Sequence, residues 1–231
     1  MILPYGGTRA AVRQYIDDEV GERLRKGKRH PFGPQRIRAA NYLADVVWEA
    51  MGSVIAGPRL VMQWTRKLAS EVNKKADYIS WVTPSGFEVV QHYPNYKRRE
   101  VRTMVCGRVI IPWIQEATKD LDAMRMVQAL APNWIHSLDA AALHLTAVKM
   151  RNLGYHMVAV HDSFGTHASH VDAMNVAIRQ VFVEVHRENL MDRLVEDVSK
   201  CVPGGELKVP IKPPLGDLQI EDVMESRYFF A

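Results

Sequence analysis

The chain has 231 residues, 47% hydrophobic and 24% charged, which is long enough to bury a sizeable core and is neither a disordered nor a membrane composition. No apolar run reaches the roughly 18 residues of a membrane span, nothing N-terminal reads as a secretory signal, and two distant cysteines, Cys106 and Cys201, argue against a disulfide or zinc framework and for a reducing cytosol. A net charge of +4 and a pI near 9.1 permit nucleic acid as a partner without requiring it.

In chain order, residues 8–25 predict a helix with Val12, Tyr15, Ile16 and Val20 on one face, closed by Gly27. "PQRIRAANYLADVVWEAM" predicts a second helix with Pro34 near its first turn, and "RLVMQWTRKLASEVNKK", after Gly57-Pro58, a third. The period then changes to that of strands. "YISWVTPSGFEVVQHY" predicts a hairpin that turns at Pro84-Ser85-Gly86. Residues 101–112 are again strand-like, and the mixed stretch 113–130 has no clear period. Beyond Pro132, "NWIHSLDAAALHLTAVKMRNLG" predicts a long helix with Ile135, Leu138, Ala142, Leu145 and Met150 on one stripe and Gly154 as its stop. "HMVAV" predicts a buried strand. Val171, Met174, Ile178, Val181, Phe182 and Val185 then form a helical stripe behind Asp172, and another helix covers 189–200. The proline-rich tract Pro203–Pro214 reads as extended, with a short helix near 217–225 before the aromatic terminus. Helices with a hairpin-bearing sheet make an α+β chain.

Charge is clustered. Arg23, Arg25, Lys26, Lys28, Arg29, Arg36 and Arg38 fall close together, and Lys97, Arg98, Arg99 and Arg102 follow the aromatic Tyr93 and Tyr96. Each cluster fits either a solvated face or a row of phosphate contacts. The candidates for nucleic-acid binding are Lys28, Arg29, Arg98, Arg99 and Arg102. The segment "MVAVHDSFGTHA" runs a strand into His161-Asp162 and then starts another strand at once. Asp162 fits a turn cap or a rigidly presented oxygen ligand for Mg²⁺. In two-metal phosphoryl transfer such carboxylates hold cations about 3.5–4 Å apart. His161 is not a metal ligand on this reading, because Mg²⁺ prefers oxygen.

"HDSFGTHA" resembles motif C of the single-subunit RNA polymerases of bacteriophages and mitochondria. Four further stretches resemble the same family in the same order: "LPYGGTR" the end of motif B, "WVTPSGFEVVQHY" its strand pair, "APNWIHSLDAAAL" its Pro-Asn…His-Ser-x-Asp helix start, and "ESRYFFA" its aromatic C-terminus. The resemblance implies part of a right-hand polymerase. Residues 1–136 form a mostly helical fingers portion with a specificity-loop-like segment at about 94–130. Residues 137–231 form a palm portion with a catalytic β-hairpin and a C-terminal foot. It implies that Asp162 is catalytic and one of two Mg²⁺-binding aspartates in a two-ion site. Tyr5, Gly6, His136 and His161 would serve nucleotide binding: Tyr5 closes over the sugar, Gly6 keeps clear of the template base, and His136 reads the newest base pair. Phe230 and Ala231 form the foot. DNA template, RNA product and nucleoside triphosphates are the implied partners, with no membrane.

The resemblance also carries an expectation of incompleteness. The family's first metal-binding Asp and the Arg and Lys that grip the triphosphate have no counterpart in these residues. The expectation is therefore a split polymerase, inactive until a second chain supplies motif A and the N-terminal domain. An inactive polymerase-derived fragment or nucleic-acid-binding protein, and a related DNA polymerase palm, are the alternatives. Ser163 after Asp162, and Tyr rather than Phe at position 5, favour RNA. The implied compartment is the cytoplasm, that of the host cell if phage-encoded, with the mitochondrial matrix as the alternative.

Overall fold

A computed structural model describes residues 7–29, 33–160 and 163–229. The chain forms two compact units: residues 1–65 with 211–216, and residues 66–210 with 217–231.

In the first unit, Thr8 caps helix α1 (Arg9–Arg25) by accepting the Ala11 N–H. The helix ends where Gly27, at φ +73°, takes the left-handed conformation and Lys28 N–H returns to the Arg23 carbonyl. A 3₁₀ turn then leads into α2 (Arg36–Val54). The two helices pack through Val12, Val20, Ala40 and Ala44, and Arg36 donates to the Asp17 carboxylate and, at 3.0 Å, to its carbonyl. Tyr15, expected on the buried face, is 62% exposed, because small residues on α2 fill the seam. Helix α3 (Ala56–Asn73) begins before Gly57-Pro58, not after it. Pro58 is its third residue, where a missing N–H breaks no helical bond.

The second unit holds the larger core, built from Leu68, Val72, Ile79, Met126, Leu130, Met150, Val181, Leu194 and Val198. Strands β1 (Ile79–Val82) and β2 (Glu88–Gln91) form the expected antiparallel hairpin. Gly86 N–H bonds back to Thr83 O at 2.8 Å with Gly86 at φ +82°, the pattern of a three-residue loop closed by a left-handed glycine. The stretch without a clear period, 113–130, resolves into strand β6 (Trp113–Leu121) and the start of the next helix, and β6 pairs with β3 (Pro94–Glu100) in an antiparallel ribbon. A small hairpin of β4 (Thr103–Val105) and β5 (Arg108–Ile110) lies between them in sequence. Its turn residues Cys106 and Gly107 both have positive φ, 49° and 77°, as a two-residue hairpin of type I′ requires.

Helix α4 runs from Ala123 to Asn152 and starts ten residues before the expected Asn133. Its cap is Asp122, which accepts the Arg125 N–H at 2.9 Å, and Pro132 lies inside the helix. The fully buried stripe is Trp134, Ser137, Ala141, Thr146 and Met150, rotated from the one expected. Hydroxyls can occupy it because Ser137 and Thr146 donate back to the carbonyls of Trp134 and Ala142. Gly154, at φ +77°, ends the helix, with Tyr155 N–H on the Met150 carbonyl.

Strands β7 (Met157–Val160) and β8 (Ser163–Thr166) pair antiparallel. The expectation of a buried strand fails here: Val158 and Val160 are 64% and 65% exposed. An apolar run signals the capacity for burial, and among the described residues nothing covers these two side chains. Helix α5 (Val171–His186) is buried almost all round between Ala177 and Val185, while the expected Val171 is exposed. Asn189 caps α6 (Leu190–Lys200) through two backbone N–H groups. Residues 203–219 have neither helix nor strand, and a 3₁₀ turn at Ile220–Met224 replaces the short helix. The α+β class stands as expected.

Candidate functional site

Two of the sequence motifs turn out to be the two halves of one packing joint. Trp81, buried in β1, donates its indole N–H to Ser137 Oγ of α4 at 2.9 Å. Gln91 on β2 donates to the Met126 carbonyl at 2.7 Å, and its own side-chain oxygen accepts from Asn133 at 2.9 Å. Asn133 also donates to the Tyr93 hydroxyl at 3.0 Å. The Trp, Gln and Tyr of the strand pair thus hold the Asn and Ser of the helix, with Trp134 buried between them. His136 lies between Asn133 and Ser137 in this clamped turn and is exposed.

The strand pair is itself held from its far edge. Helix α6 covers the side of β1 that β2 leaves open. There Ser80 N–H donates to Cys201 Sγ at 3.3 Å, Val82 N–H to Asp197 Oδ2 at 3.0 Å, and Arg193 to the Thr83 carbonyl at 3.3 Å. Lys200 pairs with Asp197 at 2.7 Å. Burial pushes the Asp197 pKa up, but the hydrogen bonds from Lys200 and Val82 and the nearby positive charge outweigh it and hold the carboxyl below the usual range. Trp81, Gln91, Asn133, Ser137 and Asp197 were not singled out from the sequence. The signal available for the first four was that they are letters of the quoted motifs.

The β7–β8 register pairs Val160 with Ser163, so His161 and Asp162 are the two residues that join the strands. Both lie outside the described residues. Each strand of the hairpin is supported by a helix, β7 by α4 and β8 by α5. Its open end is tied by Thr166 Oγ1 donating to the His156 carbonyl at 2.6 Å, beside Tyr155 stacked on His170 with ring centroids 4.0 Å apart. Gly165 pairs with Val158, whose Cγ1 lies 3.0 Å from where a Cβ would stand, so an alanine here would need the exposed Val158 side chain to shift by a few tenths of an ångström.

Among the described residues no group of three or more His, Cys, Asp or Glu side chains could hold a metal. Tyr5, Gly6, Phe230 and Ala231 also lie outside the described residues. The described candidates are therefore His136, on α4, and the cations. Lys28 and Arg29 are exposed just after α1, in the first unit. Arg98 and Arg99 are exposed on adjacent positions of β3 and so face opposite sides of the ribbon, Arg99 within 3.8 Å of Glu116; Arg102 follows, exposed, just beyond β3. The ribbon is tied at its root by Asp122 N–H on the Tyr93 carbonyl, with Arg125 over the Tyr93 ring. It is tied again by Val101 N–H on the Pro112 carbonyl at 3.1 Å. A two-stranded ribbon of this kind is narrow enough for the major groove of duplex DNA.

Among the described residues no helix is long and apolar enough to cross a membrane. The profile of the DNA-dependent RNA polymerase family matches residues 1–206. The chain is 33% identical over 230 residues to DNA-directed RNA polymerase 2B, chloroplastic/mitochondrial, of Nicotiana tabacum, covering all of this chain and 22% of the relative. DNA-directed RNA polymerase 2A of the same plant is 33% identical, with 66% of its length covered. DNA-directed RNA polymerase 1, mitochondrial, of Arabidopsis thaliana is 31% identical, with 22% covered. The chain thus spans from about a fifth to two thirds of the relatives it matches, and on the extent of these matches it belongs to the DNA-dependent RNA polymerase family, of the single-subunit phage and mitochondrial type.

Proposed function

We propose that this chain forms the C-terminal part of the catalytic core of a DNA-directed RNA polymerase, which adds nucleoside triphosphates to an RNA product on a DNA template. One observation carries the reading: within a family match over residues 1–206, a helix-backed hairpin is joined by the two residues His161 and Asp162. A carboxylate in such a joint is the type of oxygen donor that Mg²⁺ takes. Residues 1–136 serve as the fingers portion, with the ribbon within 94–130 in the place of the specificity loop, and residues 137–231 serve as the palm portion.

In this reading Asp162 contributes one ligand to a pair of Mg²⁺ ions. Further carboxylates, and the cations that grip the triphosphate, come from sequence outside these 231 residues, on this or another polypeptide. When bound, Mg²⁺ supplies the charge neutralisation that nucleotidyl transfer needs. Tyr5, Gly6 and His161 serve nucleotide binding on this reading, and the clamp on either side of His136 holds the turn from which the imidazole meets the newest base pair. Lys28, Arg29, Arg98, Arg99 and Arg102 contact phosphate, so binding weakens with salt. The exposed Val158 and Val160 give the missing sequence an apolar surface to cover. Two free cysteines, one exposed and one buried, suit a reducing compartment, the cytoplasm first.

The test is templated RNA synthesis by the assembled polymerase carrying Asp162→Asn, compared with wild type. Loss of synthesis with unchanged template binding supports the assignment, and unchanged synthesis refutes it. Equal use of ribo- and deoxyribonucleotides by the wild type would refute the choice of RNA.

A further inference from the structure

The end of the ribbon is apolar on both of its faces. In the β4–β5 hairpin Met104 stands opposite Val109, Thr103 opposite Ile110, and Val105 opposite Arg108. Directly opposed residues share a face and successive ones alternate. Met104 and Val109 therefore lie on one face, and Val105 and Ile110 on the other. All four are exposed, Met104 at 68% and Val109 at 48%. An antiparallel hairpin that docks on a protein surface turns apolar side chains to the docked face and polar ones to water. A tip apolar on both faces suits a site that covers it from two sides at once. Charge narrows the choice of site. Five cations and one carboxylate fall within residues 97–108, an excess equal to the net +4 of the whole chain. Arg102 precedes the tip and Arg108 lies within it, both exposed. The conformation of the tip is set at both ends. Cys106 and Gly107 close its apex at positive φ, and at its root the Val101 N–H donates to the Pro112 carbonyl at 3.1 Å.

We propose that residues 103–110 are a wedge that enters duplex DNA and unstacks one base step. Successive base pairs present two flat apolar faces, above and below an inserted side chain, with phosphates on either side. Met104, Val109, Val105 and Ile110 part those faces, and Arg102 and Arg108 meet the phosphates. The two-faced apolar tip and the cations beside it ask for such a partner together, and neither does so alone. The inference deepens the reading of the ribbon as a DNA-contacting element and rests on it. Contacts to base edges leave the duplex stacked, whereas a wedge favours steps that open readily, such as TA.

The experiment measures binding of the full chain, by fluorescence anisotropy, to two duplexes that differ only by a central mismatch. Unstacking is cheaper at a mismatch, so a wedge binds the mismatched duplex more tightly, by about 10–100-fold. In the matched duplex, 2-aminopurine at the centre reports unstacking as a rise in its fluorescence. Met104→Gln with Val109→Thr makes one face of the tip polar, and Val105→Thr with Ile110→Thr the other. All four side chains are exposed, so neither pair should disturb the fold, and each pair checks the other. Each should remove most of the mismatch preference and of the 2-aminopurine signal, with the salt dependence of binding unchanged. Arg102→Gln with Arg108→Gln should weaken binding to both duplexes alike. Equal affinity of the wild-type chain for the two duplexes overturns the proposal, as does a preference that both apolar pairs retain. Binding to phosphatidylglycerol vesicles that both pairs lose, with no preference between duplexes, would assign the tip to a membrane surface instead. No binding to either duplex overturns the DNA-contacting ribbon, and the wedge with it. If Asp162→Asn abolishes synthesis by the assembled polymerase while the chain shows no mismatch preference, the polymerase reading stands and only the wedge falls.

Discussion

Replacing Asp197 with alanine removes the acceptor that α6 offers to the open edge of β1. The carboxylate is 11% exposed and receives the Val82 N–H at 3.0 Å. A hydrogen bond to a charged group is worth about 1.5–3 kcal/mol, and an orphaned N–H costs about as much. The Lys200 partner is exposed and adds little. Asp197→Ala should therefore destabilise the β1 edge by about 2 kcal/mol, or about 30-fold in the exchange rate of the Val82 amide. Asp197→Asn keeps an oxygen for the Val82 N–H and should cost about half as much. Amide exchange is the assay of choice, because a chain of two compact units need not melt in one step. The pH dependence follows from the depressed carboxyl pKa. The charged form's stabilisation is fully present above the ordinary carboxylate pKa of about 3.9 and is lost as the pH falls through the folded value. The gap between wild type and Asp197→Asn should therefore close below about pH 4. Equal protection of Val82 in wild type and Asp197→Ala would refute the edge-capping argument. Equal loss in Asn and Ala would show that charge, not the N–H, is what matters.

Other outcomes can be checked separately. Trp81→Phe and Ser137→Ala should each cost about 1–2 kcal/mol by amide exchange of the β1–α4 joint, and the double variant less than their sum, since both lose the Trp81–Ser137 bond. Gly165→Ala should change the stability of the β7–β8 hairpin by less than about 1 kcal/mol, read from amide exchange of its strands, because the exposed Val158 side chain can move aside while the strand gains a Cβ. Arg98→Ala with Arg102→Ala should flatten the slope of log affinity against log salt for duplex DNA by about two, measured by anisotropy at several salt concentrations.

What could be read in the sequence was whatever carried a local chemical signal. The β1–β2 turn was legible because Pro84-Ser85-Gly86 specifies it, and the ends of α1 and α4 because Gly27 and Gly154 take left-handed φ. The start of α4 was not. Pro132 resembles a helix opener, while the true cap, Asp122, precedes a stretch with no clear period. The ribbon was invisible for a different reason: alternation reveals a strand only when one face is buried, and both faces of β3 and β6 are solvated. Of the site, the motifs located His136, but its clamp is formed by side chains 40 residues or more away in sequence, such as Asn133 to Tyr93.

No residue between Gln91 and Met126 is buried. The ribbon therefore answers to none of the core's packing constraints, and its side chains can be exchanged at almost no cost in stability. The Val101–Pro112 hydrogen bond joins backbone groups, so it survives any change of side chain in the tip beyond it. If the ribbon contacts DNA as proposed above, the preferred DNA sequence could change without renegotiating the fold. Divergence concentrated in residues 94–121 would then record a change of target, not decay.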